Sequence, residues 1–248
     1  MASSLSIKLG NFLYKTSFPL YKKMYAVFKN KQDAFEIKLL KNHIKKGDTV
    51  LDIGANIGFY ATILSDIVGE KGKIHCFEPD ATNFLHLQKT VSSYKNIIIN
   101  NKAVSPKTEK IKIYTSKELN VDHRTYKPEK YDQEIEIDAV SIDDYLKGVK
   151  VDFIKMDIQG FEMEAMKGMK ETLKNNPEVK MISEFWPYGL KKAGSSLRDY
   201  FTLLKELNFK IEILKHNKLE TLKLETVLEM ESLPEEHYFN ILITPNVQ

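Results

Sequence analysis

The chain has 248 residues, with 37 Lys and Arg against 34 Asp and Glu, a formal net charge of +3, 42% hydrophobic residues and one cysteine, Cys76. That length and balance suit one globular domain with modest additions, exclude a disordered or fibrous chain and an internal disulfide framework, and offer no structural zinc spacing. Arg occurs only at 124 and 198 and the charge excess is small, so nucleic acid is not an expected partner; Lys, Asp or Glu also interrupts every apolar run before the roughly 18 residues of a transmembrane helix.

Residues 1–45 mix aromatics (Phe12, Tyr14, Phe18, Tyr21, Tyr25, Phe28) with lysine and contain no acid before Asp33. The pattern predicts one or two amphipathic helices around Pro19, an N-terminal helical cap that packs on the main domain, covers a cleft and shapes the acceptor pocket, or makes weak peripheral contact with anionic lipid. Lys8, Lys15, Lys22 and Lys23 break up any signal-peptide core, which makes the cytoplasm the expected compartment. Residues 46–248 read as the main domain. Strands at Thr49–Asp52, Lys73–Phe77, Ile97–Ile99, Val151–Met156 and Val179–Phe185 alternate with helices starting at Gly58, Asp80, Gly160 and near Ser195, the β/α rhythm of a parallel sheet with helices on both faces. The rhythm fails over an insertion at about 105–145, where Lys110–Tyr114 and Glu134–Val140 predict two further strands joined by a polar loop. Two last strands, Phe209–Leu214 and His237–Thr244, lack a secure helix between them and are expected to pair antiparallel.

Val50-Leu51-Asp52-Ile53-Gly54-Ala55-Asn56-Ile57-Gly58 is a buried strand running into a glycine turn, where positive φ and bare backbone admit a ligand. The dinucleotide pattern G-x-G-x-x-G is not met, because Asn56 and Phe59 stand where its second and third glycines belong. The next strand ends in Glu78, an acid placed to accept the two hydroxyl hydrogens of a ribose. A nucleoside with a free diol is the expected ligand.

Together VLDIGANIGFY, CFEPD, NKAVS, VDFIKMDIQGFEMEAMKG and ISEFWP resemble the FkbM family of S-adenosylmethionine-dependent methyltransferases over roughly residues 48 to 215. The resemblance implies an α/β class I methyltransferase (Rossmann-like) sheet of about seven strands in the order 3-2-1-4-5-7-6, the last antiparallel, and S-adenosyl-L-methionine as cofactor. It also implies Gly54, Asn56 and Gly58 beside the methionine and ribose, Asp52 holding the amino group through the turn or a water, Glu78 on the ribose, and Asn101 and Ala103 near adenine.

Asp157 ends the strand beside the first one and so points at the crevice; it would stabilise the cation, orient the acceptor or take its proton, or else cap the helix after it. Glu162 in the first helical turn suits either the helix dipole or a substrate. Glu184, with Trp186 two residues on, ends the next strand as a further proton acceptor. Three acids at one rim leave a divalent metal possible, but none is predicted. In the polar loop, His123 is a candidate base or acceptor ligand, and Arg124 suits a carboxylate, phosphate or sugar. Asp157-Ile158-Gln159-Gly160 lacks the polar-Pro-Pro-aromatic tetrapeptide of ring-amine methylation. The expectation is therefore an O-methyltransferase acting on a small molecule or sugar. The alternatives are an NAD-dependent oxidoreductase or a non-catalytic cofactor-binding scaffold on the same fold.

Overall fold

A computed structural model of the chain describes residues 4–115 and 131–246, with side chains over 10–114 and 131–246. Three helices come first, α1 (Ser4–Thr16), α2 (Phe18–Gln32) and α3 (Ala34–His43). One more break occurs than the sequence predicts, at Asp33, whose φ of −101° and ψ of 20° interrupt the helix between α2 and α3. Strand β1 (Thr49–Ile53) leads to α4 (Phe59–Val68), and β2 (Lys73–Phe77) to α5 (Ala81–Val91), whose start is capped by the Asp80 carboxylate accepting from Asn83 N at 2.7 Å. After β3 (Ile97–Asn100) come β4 (Ala103–Val104), β5 (Glu109–Thr115) and β6 (Gln133–Val140), then α6 (Ile142–Leu146) and β7 (Phe153–Met156). Next are α7 (Glu162–Lys167), α8 (Lys170–Asn175), β8 (Lys180–Phe185), α9 (Pro187–Lys192) and α10 (Leu197–Glu206). The chain closes with β9 (Phe209–Lys215), β10 (Lys218–Thr221), α11 (Leu224–Glu229) and β11 (Phe239–Pro245).

The main sheet runs β10-β9-β11-β8-β7-β1-β2-β3, with β11 antiparallel to both its neighbours. This is the expected order plus an eighth, edge strand: β10 folds back on β9 through His216 and Asn217, both at positive φ (51° and 59°), the geometry of a two-residue hairpin turn without the glycine that usually advertises it. The insertion forms a separate three-stranded sheet, β4-β6-β5, with β5 and β6 antiparallel.

Helices cover both faces of the main sheet, so its central strands are buried almost throughout. Alternation along each strand divides the core in two. Leu51, Ile53, Ile154 and Met156 face one cluster; Val50, Cys76, Phe153 and Ile182 face the other, which α3 and α4 cover with Leu39, Leu40, Tyr60 and Leu64. Register aligns Asp52 with Lys155 on that second face. Two ionic groups therefore lie side by side under the helices, at the carboxyl end of the sheet.

Candidate active site

Beyond the carboxyl ends of β1, β2, β7 and β8 lies a cleft of about 550 Å³. Its floor is the turn after β1. Gly54, at φ +85°, and Ala55 both donate to Phe77 O at 3.0 Å, which binds the turn to the tip of β2. A Cβ on Gly54 would stand 1.9 Å from Asp157 O, so glycine here lets the ends of β1 and β7 converge. Asn56 N donates to Glu78 Oε2 at 2.8 Å, and Asp80 N to Glu78 Oε1 at 2.9 Å. Each Glu78 oxygen thus keeps lone-pair capacity for a further donor. Burial pushes the Glu78 carboxyl up to about 8 against the pull of those two N–H groups. Beside it, Phe77, Ala103, Val104 and Ile113 give the cleft an apolar wall.

The opposite wall is ionic. The Gln159 side-chain amide donates to Asp157 Oδ1 at 3.2 Å and to Glu184 Oε2 at 3.1 Å, joining the two carboxylates; Gln159 reaches them from φ +56°. Burial, then Asp157 and Glu162, raise the Glu184 carboxyl well above its ordinary range. Trp186 lines the same wall, its indole N–H donating to Glu235 O at 2.7 Å.

Gly54, Asn56, Glu78, Ala103, Asp157, Glu184 and Trp186 line the cleft as the sequence places them, whereas four other candidates do not. Asp52 lies behind the turn on the α3 and α4 face, and neither of its oxygens has a hydrogen-bond partner among the described residues. Burial lifts it to about 6 while Lys155 opposes the rise. Gly58, at φ +89°, faces α5, where a Cβ would meet Leu87 at 2.9 Å. Asn101 donates to Glu78 O and Pro79 O, splinting the loop from outside the cleft. Glu162 is wholly buried, with Oε1 accepting from Ile158 N and Gly160 N at 3.2 Å, so it fastens the turn after β7 rather than facing a substrate. His123 and Arg124 lie outside the described residues. Among the described residues, no group of three or more His, Cys, Asp or Glu is arranged around a metal-sized position.

Sequence reasoning missed a buried cation of the cleft. Lys155 is 3% exposed, with Nζ 3.5 Å from Asp157 Oδ2 and 4.4 Å from the centre of the Tyr60 ring. Burial pulls its pKa down, but Asp157, Asp52, Glu36 and Glu184 together hold it above the ordinary lysine value. The signal was present in the sequence as a lysine interrupting Phe153-Ile154-Lys155-Met156, level with an equally anomalous Asp52. The N-terminal helices wall the cleft, as the aromatic segment was expected to, but through polar residues that the sequence did not single out. Tyr60 donates to Asp33 Oδ2 at 2.7 Å, Asp33 pairs with Lys29, and Glu36 accepts from Asn240 Nδ2 at 2.7 Å. All five line the cleft.

The residues present fit an adenosyl donor. Glu78 offers two acceptors for a diol, the Gly54–Ile57 backbone is open beside it, and the Phe77, Val104 and Ile113 wall suits a purine.

Comparison with known proteins agrees. A profile described as the methyltransferase FkbM domain matches residues 52–211. The hexuronic acid methyltransferase AglP of Haloferax volcanii is 27% identical over 189 residues, covering 74% of this chain and 72% of that protein. The crystal structure of methyltransferase FkbM from Methylobacillus flagellatus superposes with a TM-score of 0.50 at 19% identity, over 79% of this chain and 43% of that one. The precorrin-6y C5,15-methyltransferase of Geobacter metallireducens gives 0.50 at 11% identity, over 87% and 89%. A Streptococcus mutans protein described as a candidate methyltransferase, solved with S-adenosylhomocysteine, gives 0.51 at 10%, over 84% and 94%. At these identities the structures establish the fold alone. The oxidoreductase alternative is not favoured.

Proposed function

Given that the chain belongs to the methyltransferase FkbM family and is an S-adenosylmethionine-dependent methyltransferase, we propose that it methylates a hydroxyl oxygen of a sugar or small-molecule acceptor held between the two walls of this cleft. When bound, S-adenosylmethionine supplies an electrophilic methyl group on a sulfonium. Glu78 would hold the ribose diol, the backbone of Gly54 to Ile57 the amino-acid end, and the Ala103, Val104 and Ile113 wall the adenine. Asp157, the more exposed of the paired carboxylates, would orient the acceptor hydroxyl. Glu184, whose burial beside Asp157 and Glu162 raises its affinity for a proton, would take the hydroxyl proton as the oxygen acquires its methyl group. Lys155 and Lys29 provide cations at the same wall. Both are already paired with carboxylates of the wall, so the carboxylate-bearing acceptor rests on a relative named for hexuronic acid. The compartment in this reading is the cytoplasm.

The observation that carries the proposal is the Gln159 amide joining Asp157 to Glu184 across a cleft from Glu78. Its test is methyl transfer from labelled donor to a panel containing methyl glucuronide, methyl glucoside, catechol and a nucleobase. Label should appear on a glycoside, and Glu184→Gln should lower kcat by about a hundredfold or more while leaving S-adenosylhomocysteine affinity unchanged. Label only on the nucleobase, or equal loss of transfer and cofactor affinity, defeats the assignment. Glu78 adds a pH signature. Its carboxyl is held up to about 8, and a diol engages the ionised form, so affinity for S-adenosylhomocysteine should tighten as pH rises from 6 to 8 and then level. Calorimetry at neutral pH in buffers of different ionisation heat should show about one proton released on binding. No buffer dependence removes Glu78 from the diol.

A further inference from the structure

Helix α2 is 15 residues long and buries none of them completely. Its inner side carries half-buried Tyr21 and Tyr25, which pack on Tyr14 and Phe59. Its outer side carries Leu20, Met24, Val27 and Phe28, between 39% and 73% exposed and spaced i, i+4, i+7, i+8, a single helical face. With Phe12 of α1, these make up five of the ten large exposed hydrophobics among the described residues. So many on one short segment are more than the scattered exposure an ordinary surface shows.

The flanks of this stripe carry one sign of charge. Lys23 and Lys31 share this side of α2, neither has an ion-pair partner among the described residues, and no acid precedes Asp33 in the sequence. A second copy of the chain placed on this face would set lysine against lysine. An anionic bilayer complements both features: apolar side chains enter the acyl boundary while lysine stems reach back to the headgroups. No helix among the described residues is long and apolar enough to cross a membrane, so the contact lies in the plane of the interface.

We infer that the outer face of α2, formed by Leu20, Met24 and Val27 with their flanking lysines, is a docking surface for anionic lipid that holds the protein peripherally on a bilayer. Phe28 and Lys29 are also cleft-wall residues, so the docked orientation brings the cleft mouth to the lipid surface. The inference stands independently of which acceptor is methylated.

The test is co-sedimentation of the full chain with vesicles of phosphatidylcholine alone and of phosphatidylcholine with one third phosphatidylglycerol. Binding should require the anionic lipid and weaken steeply with salt. It should fall about tenfold for each of Leu20→Glu and Val27→Glu, and about fivefold for each of Lys23→Gln and Lys31→Gln. These residues lie outside the cleft, so S-adenosylhomocysteine binding, measured alongside, should be unchanged and reports that each variant is folded. The proposal is overturned if the protein ignores both vesicles, or if it binds them equally without salt dependence. It is also overturned if Leu20→Glu only abolishes a concentration-dependent dimer in the absence of lipid binding.

Discussion

A lysine held at 3% exposure is stable only where carboxylates compensate the loss of water, and Lys155 has Asp52, Asp157, Glu36 and Glu184 around it. The dependence is mutual. Asp52 is fully buried with neither oxygen hydrogen-bonded among the described residues, and Lys155, its neighbour in register, is the charge that offsets its burial. Removing one partner of such a pair leaves the other uncompensated, so Lys155→Met should cost about 3 kcal/mol in urea unfolding. Asp52→Asn introduced into that variant should restore at least about 1 kcal/mol, because the stranded acid is then gone. Strict additivity of the two substitutions would show that the ammonium answers to the other carboxylates instead.

At the level of elements, the site depends on how closely the ends of β1 and β7 approach. Gly54 combines φ +85° with a position where a Cβ would fall 1.9 Å from the backbone of Asp157. Gly194 has the same φ, +85°, but nothing within 4 Å of its missing Cβ. The pair separates conformational strain from collision. Gly194→Ala should cost about 1 kcal/mol by thermal melting, whereas Gly54→Ala should cost about 3 kcal/mol or more and displace Asp157 from the cleft. Equal costs would mean that the turn relaxes freely. This turn was legible in the sequence because a buried strand ending in two glycines has few structural solutions. The hairpin into β10 was not, since His216 and Asn217 take positive φ without a glycine. Which way each acid near a strand end faces was not legible either. Strand parity turns Asp52 toward α3 and α4, and two backbone N–H groups claim Glu162, outcomes that depend on register and loop geometry rather than residue type.

Across the whole molecule, the N-terminal helices and the far end of the chain meet over the cleft. Glu36 of α3 accepts from Asn240 of β11, more than 200 positions away in sequence. No local pattern announces such a contact, which is why the cap was legible as helices over a cleft but its polar contacts there were not. The arrangement also leaves a pH signature. Burial is the main reason the Glu36 carboxyl rises to about 7, with Asp33 adding to the shift and Lys155 and Lys29 opposing it. Because the folded chain holds this proton more tightly than the unfolded chain, Glu36 contributes stability that is present in acid and declines between the unfolded value near 4.5 and the folded value near 7. About 1 kcal/mol of that decline falls between pH 6 and pH 8. Substituting Glu36→Gln keeps an acceptor for Asn240 while removing the titrating proton. The variant should therefore lose less stability than the wild type on going from pH 6 to pH 8, by about that amount in matched denaturant titrations. Parallel pH profiles for the two proteins would assign the decline to other buried carboxyls, with Glu78 and Glu184 the next to substitute.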